Sequence, residues 1–312
     1  MVVTSVDDSK RYVAGHVAML AATAMWGIMS PIAKFVLEHG VIDGLALSVI
    51  RIGGGALLFL LAALLPQRFT GDVKVMTKDL LPLFLASVVM ISANQGLFII
   101  GIQYTTPVDT SVMCTLTPVF TLLLAALFIG QRLTVMKISG VLLGLAGALI
   151  IAFSGSSAEI ATNPLLGDSL CILAQLFAAV YYVFFLKIIN KYPPFTIMKW
   201  MFVFSALTYI PAMIPFLPDI PLEIIGAGDW LSLVYIIVFP TFIAYLIIPF
   251  SQRILKPTVI ATYAYLQPVV AAALASVMGL ALFGWSRIIG TIMIFAGVFL
   301  VSASVRLIGE KK

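Results

Sequence analysis

Ten stretches of about twenty mostly apolar residues dominate this chain. They run near 15–38, 44–65, 80–102, 107–129, 135–154, 167–190, 194–217, 230–252, 257–283 and 286–308. A bilayer core about 30 Å thick takes about 20 residues of helix to cross, and backbone in lipid must satisfy its own hydrogen bonds. The pattern therefore predicts an all-α integral membrane protein with ten transmembrane helices. Charged residues make up only 10% of the 312, against about 25% in soluble domains. The breaks hold turn-forming or charged residues, such as Pro66-Gln67-Arg68, Ser154-Gly155-Ser156 and Pro218-Asp219. None is long enough for a soluble domain, so function is expected in or between the helices.

The basic residues set the expected orientation. Lys10, Arg11, Arg68, Lys74, Lys78, Arg132, Lys137, Lys187, Lys191, Lys199, Arg253, Lys256, Arg306, Lys311 and Lys312 fall on one side, 15 of the 18 in the chain. The other side has Arg287, while Lys34 and Arg51 lie within spans. Basic loops stay in the cytoplasm, so both termini are expected there, with the protein in a cell membrane such as the bacterial inner membrane. The apolar stretch after Lys10 and Arg11 is longer than a signal-peptide core, so the first helix is expected to remain attached.

Residues recur at an offset of 150. Pro107 and Pro257, Pro118 and Pro268, Gly140 and Gly290, and Gly147 and Gly297 are four such pairs, and Leu116-Thr117-Pro118-Val119 answers Leu266-Gln267-Pro268-Val269. A fixed period indicates duplication. Each unit, 14–154 and 167–308, holds five helices. Five is odd, so the second copy is expected to enter the membrane inverted. Inverted repeats are the architecture of secondary transporters, with the substrate site near the midplane.

These residues also resemble a known family. Met25-Trp26-Gly27 with Pro31 and Lys34, Arg51, and the stretch from Thr117-Pro118-Val119 through Gly130 to Gly140, Gly144 and Gly147 are similar to the drug/metabolite transporter superfamily, specifically its ten-helix EamA-type members. The likeness covers nearly the whole chain. The sequence departs from it at Gln131 and Ala281, where relatives often have Glu. The resemblance implies a basket around a central cavity lined by helices 1, 3, 4, 6, 8 and 9. It also implies movement of small metabolites, often export of amino acids or related amphipathic compounds, while alternating access is what the inverted repeat leads one to expect.

Polar side chains within spans are costly and usually face a cavity or a partner helix. Trp26 and Ser30 share a face of the first helix, and Ser92, Asn94 and Gln95 lie midway along the third. Thr115 and Thr117 follow on the fourth, Gln175, Tyr181 and Tyr182 on the sixth, Tyr245 on the eighth, and Tyr263 and Gln267, four apart, on the ninth. From these, Trp26, Ser30, Asn94, Gln95, Thr117, Gln175, Tyr182, Tyr245, Tyr263 and Gln267 form the candidate substrate-binding set. The alternative for each is interhelical hydrogen bonding alone. Lys34 sits near the outer end of the first helix, where it can snorkel. Arg51 lies roughly 10 Å from the outer end of the second, at 1.5 Å per residue. It can hold a substrate carboxylate or pair with Glu38, Asp43 or Asp109 in an outer gate.

Other classes find little support. The basic residues sit at helix ends rather than in patches, so nucleic acid is not an expected partner; a lipid bilayer and a small-molecule substrate are. There is no Gly-Lys pair, hence no P-loop for ATP. Cys114 and Cys171 are isolated in apolar runs, and His16 and His39 lie near opposite faces, so no disulfide, metal or cofactor is expected. A membrane-embedded enzyme acting on a lipid or small substrate is the rival reading, with a receptor or assembly factor beyond it. An enzyme needs acid–base groups at its site, whereas the 13 acidic residues fall in breaks or at helix ends.

Overall fold

Proline and short polar side chains decide where each helix starts. Pro164, Pro194 and Pro257 sit in the first turn, where a missing N–H costs nothing. Asp43 caps the second helix by accepting from the Ala46 amide at 2.7 Å, and Asn163 caps the sixth by accepting from Leu166. The computed structural model describes residues 6–38, 40, 42–105, 107–153, 162–218, 225–277 and 284–307. Those residues form ten helical rods, two short connecting helices, Gln67–Thr70 and Leu186–Lys191, and a 3₁₀ turn, Ile214–Phe216.

The rods are α1 (Val6–Glu38), α2 (Gly44–Ala62), α3 (Thr77–Tyr104), α4 (107–129), α5 (Val135–Phe153), α6 (Pro164–Phe184), α7 (Pro194–Met213), α8 (Ala227–Gln252), α9 (257–277) and α10 (Trp285–Leu307). Four are irregular. In α3 and α8 a π-helical stretch, Val88–Gln95 and Val238–Ile243, interrupts the α-helix. In α4 the helix breaks at Thr115, and in α9 a 3₁₀ turn, Tyr263–Tyr265, divides six residues from twelve. Starting residues recur at one interval: 44 and 194, 77 and 227, 88 and 238, 107 and 257, 116 and 266, 135 and 285 each differ by 150.

Packing recurs too. The pairs α3–α6 and α1–α8, α4–α6 and α1–α9, and α3–α7 and α2–α8 exchange when each helix is replaced by its counterpart five places along, while α2–α7, α4–α9 and α5–α10 map onto themselves. The tightest seam joins α5 to α10. A Cβ on Gly140 would lie 2.9 Å from the Gly297 carbonyl, and one on Gly147 2.6 Å from the Gly290 carbonyl. Rising numbers on one helix meet falling numbers on the other, so the two run antiparallel. Only glycine permits backbones this close, and without a hydrophobic drive inside lipid such contact is what holds helices together. Gly144 lies between these two and accepts the Tyr265 ring, 2.5 Å from where its Cβ would be.

Among the described residues eight helices are long and apolar enough to cross a membrane: α1 to α4, α6 to α8 and α10. The apolar part of α5, Val135–Ile151, is shorter, and the 3₁₀ turn leaves no single long stretch in α9. Large apolar side chains face outward, with Leu127 76%, Leu231 73% and Phe299 69% exposed. In water that surface would drive aggregation; in lipid it is the expected exterior.

Two expected spans change. α1 starts at Val6 rather than near 15, because helix continues through polar residues that an apolar count omits. The expected 167–190 span ends at Phe184, and Leu186–Lys191 forms a separate helix leading to the Lys191–Asp79 ion pair, at 2.5 Å. Ser154-Gly155-Ser156, His39, Asp219, Ala281, the side chains of Glu38 and Arg306, and both chain ends lie outside the described residues.

Candidate functional site

Residues on or next to the irregular segments of α3, α8 and α9 line one cavity. A π-helical turn shifts every following side chain around the axis, and such bulges cluster at functional sites. In α3 it carries Asn94 and Gln95 to the cavity wall; in α8 Tyr245 comes two residues after it. Pro240 lies within the α8 stretch and has no N–H to donate. The Ile236 carbonyl instead accepts from Thr241 Oγ1 at 2.8 Å. The Pro240 carbonyl is turned to account as well, accepting from Trp26 Nε1 at 2.9 Å and from Arg51 Nη2 at 3.5 Å.

The cavity measures about 60 Å³. A water needs about 10–15 Å³ on this measure, so there is room for a few waters, and any larger solute requires the walls to part. Residues of α1, α2, α3, α4, α6, α8 and α9 line it. Of the candidates named from sequence, Trp26, Asn94, Gln95, Thr117, Gln175, Tyr182, Tyr245 and Gln267 meet here, together with Arg51. Thr117 donates to Gln175 Oε1 at 2.6 Å, and Asn94 Nδ2 donates to the Ala174 carbonyl at 2.7 Å, tying α3 and α4 to α6. The Trp26 ring stands edge-on to Tyr245, 5.8 Å between centroids. Met19, Met29, Met90 and Phe98 supply an apolar wall.

Three candidates lie elsewhere. Tyr263 was expected on the Gln267 face, but four residues through a 3₁₀ turn rotate about 120° each rather than 100°. Its hydroxyl instead meets His16 Nδ1 at 2.5 Å, near the basic end of α1. Ser30 is half-buried one turn beyond Trp26, outside the lining. Lys34 reaches the Thr105 carbonyl at 3.4 Å beside the bond between Thr105 and Asp168.

Arg51 also corrects an expectation. It forms no ion pair with Asp43 or Asp109. Asp43 is occupied as the α2 cap, and the Arg51 side chain turns inward, where Nε donates to Thr241 Oγ1 at 2.8 Å. Some polar groups do act as links between helices: Ser92 bonds Ser205 at 2.8 Å and Tyr181 bonds Gln252 at 3.3 Å, whereas Thr115 bonds the Val112 carbonyl within α4. Thr241, Pro240 and the four apolar wall residues were not singled out in the sequence. A proline inside an apolar run was the available signal for the first two.

Known proteins of similar sequence agree with this architecture. An uncharacterized transporter of Archaeoglobus fulgidus is 25% identical over 231 residues, covering 74% of this chain and 77% of its own. A probable terminal-alkyne amino-acid exporter of Streptantibioticus cattleyicolor is 28% identical over 146 residues, 47% of each chain. A solved crystal structure superposes with a TM-score of 0.73 at 18% identity, covering 97% of this chain and 99% of that one, which establishes a shared fold. The model of the EamA-like transporter family matches residues 13–153 and again 165–303, nearly the whole length. A multi-pass membrane protein, the chain belongs to the EamA-like transporter family.

Proposed function

We propose that this protein is a secondary transporter that exports small metabolites, such as amino acids or related amphipathic compounds, by alternating access through the central cavity. The observation that carries the proposal is the cavity itself, walled by helices from both halves of the chain and lined by polar groups, among them Asn94 and Gln95 on the π-helical stretch of α3. Ten spans in two inverted five-helix units, 14–154 and 167–308, complete the reading. Element boundaries repeated at 150 residues, the self-mapping pattern of helix contacts and the antiparallel α5–α10 seam support it. An inverted pair can exchange the conformations of its halves, which opens the site to each side in turn. Both termini are read as cytoplasmic in a bacterial inner membrane, on the basic-residue bias. The name of the Streptantibioticus relative supports export of amino-acid-like compounds.

No Asp, Glu or His lines the cavity among the described residues. Proton-coupled carriers usually use such groups, so flux is expected to run by exchange or down the solute gradient. Counterflow into liposomes holding the purified protein is the test, with unlabelled apolar amino acids and monocarboxylates inside and each labelled solute outside. Saturable uptake of at least one solute, with no accumulation driven by an imposed pH gradient, is expected. Uptake equal to protein-free liposomes for every solute contradicts transport of this class.

A further inference from the structure

Arg51 is a permanent cation, 2% exposed, in the wall of the cavity. No carboxylate of the described residues lies within ion-pair distance of it, and it is the single charged residue of that lining. Two of its five N–H donors are used, by the Thr241 hydroxyl and the Pro240 carbonyl. A buried charge of this kind is strongly unfavourable unless paired. Gln95, also 2% exposed, lines the same cavity; its Oε1 and Nε2 complete no well-aligned hydrogen bond, and the Tyr245 hydroxyl lies within reach of both it and Arg51. Native interiors rarely leave a buried amide without a well-aligned partner. An anion with hydrogen-bonding oxygens would answer both groups at once, and the guanidinium fork suits a carboxylate best.

The rest of the wall limits what is attached to that anion. Met19, Met29, Met90 and Phe98 are apolar and adaptable in shape. Among the described residues the lining has no Asp or Glu to neutralise an ammonium group. We infer that the transported solute is an apolar monocarboxylate whose carboxylate is held by Arg51 and Gln95, and that an α-ammonium group adds nothing to its binding. This rests on the transport reading above and names the substrate class of the same cavity.

Thermal unfolding of the purified, detergent-solubilised protein tests it, because a ligand of the native state raises the melting temperature with saturation. The probes are 3-phenylpropanoate, its uncharged primary amide, phenylalanine, and sodium chloride alone. The acid is expected to bind at least about tenfold tighter than the amide, the range for a hydrogen bond to a charged group. Phenylalanine is expected to bind no tighter than the acid, and Arg51→Gln to abolish the difference between acid and amide while Arg51→Lys retains part of it. Equal shifts with acid and amide in the unmodified protein overturn the inference without any variant. A shift with chloride matching that of the acid also overturns it, since the site then takes a bare counter-ion. Phenylalanine binding tenfold tighter than the acid overturns the statement about the ammonium. Counterflow separates the two readings: acid binding without flux contradicts transport and leaves the carboxylate site standing, whereas flux that ignores the carboxylate does the reverse.

Discussion

A Gly147→Leu variant is expected to lose the α5–α10 seam and with it much of the stability of the fold. The atom facing a new Cβ at this position is the Gly290 carbonyl oxygen, at 2.6 Å. It belongs to backbone and cannot rotate aside as a side chain can. The contact is reciprocal, since a Cβ on Gly290 would meet the Gly147 carbonyl at the same distance. Overfilling a packed interior costs about 1–3 kcal/mol and sometimes more; a branched side chain against backbone belongs at the upper end. On the scale for domains of this size that is a fall in melting temperature of roughly 10 °C. Gly284→Ala is the matched control, because nothing lies within 4 Å of its added carbon. Thermal unfolding of both variants beside the parent protein checks the pair. A Gly147→Leu protein that melts with the parent would mean that α5 and α10 are not in backbone contact.

The second large effect falls on flux. Trp26→Ala removes the group through which α1 reaches across the cavity to α8, its Nε1 on the Pro240 carbonyl and its ring against Tyr245. Counterflow is expected to fall at least tenfold, about 1.4 kcal/mol of barrier. Ser30→Ala, one turn along the same face but outside the lining, is expected to stay within about twofold. Equal loss in both variants would place the pathway along the whole face of α1, and no loss in Trp26→Ala would remove Trp26 from it.

Helix length and repetition were legible because both are written in residue type alone. An apolar run of a given length has one stable form in lipid, and Pro or Gly at a fixed offset of 150 marks equivalent turns and contacts. Polar residues within spans were legible for the same reason: each is costly unless it meets a cavity or partner, and eight of the ten candidates line one cavity. The remainder depended on helix phase. Tyr263 and Gln267 stand four residues apart, which on a regular α-helix is one face, but the 3₁₀ turn between them sends Tyr263 to His16. Nothing in residue type announces that turn. The partner of Arg51 was hidden likewise. Asp43 was near in sequence and opposite in charge, yet the residues that hold Arg51 come from α8, about 190 positions away, and are neutral.

The central claim is that the cavity opens to each side of the membrane in turn, and it can be read with one thiol. Ala264 lines the cavity and differs from cysteine by a single sulfur atom. In a protein with Cys114 and Cys171 replaced by alanine, Ala264→Cys is exposed to a membrane-impermeant thiol reagent in right-side-out and in inside-out vesicles. Lys74→Cys on the basic face serves as the sidedness control, expected to react only where the cytoplasmic side is outermost. Alternating access predicts that Ala264→Cys reacts in both preparations. Reaction from one side only, or from neither, with the control behaving as stated, would contradict it.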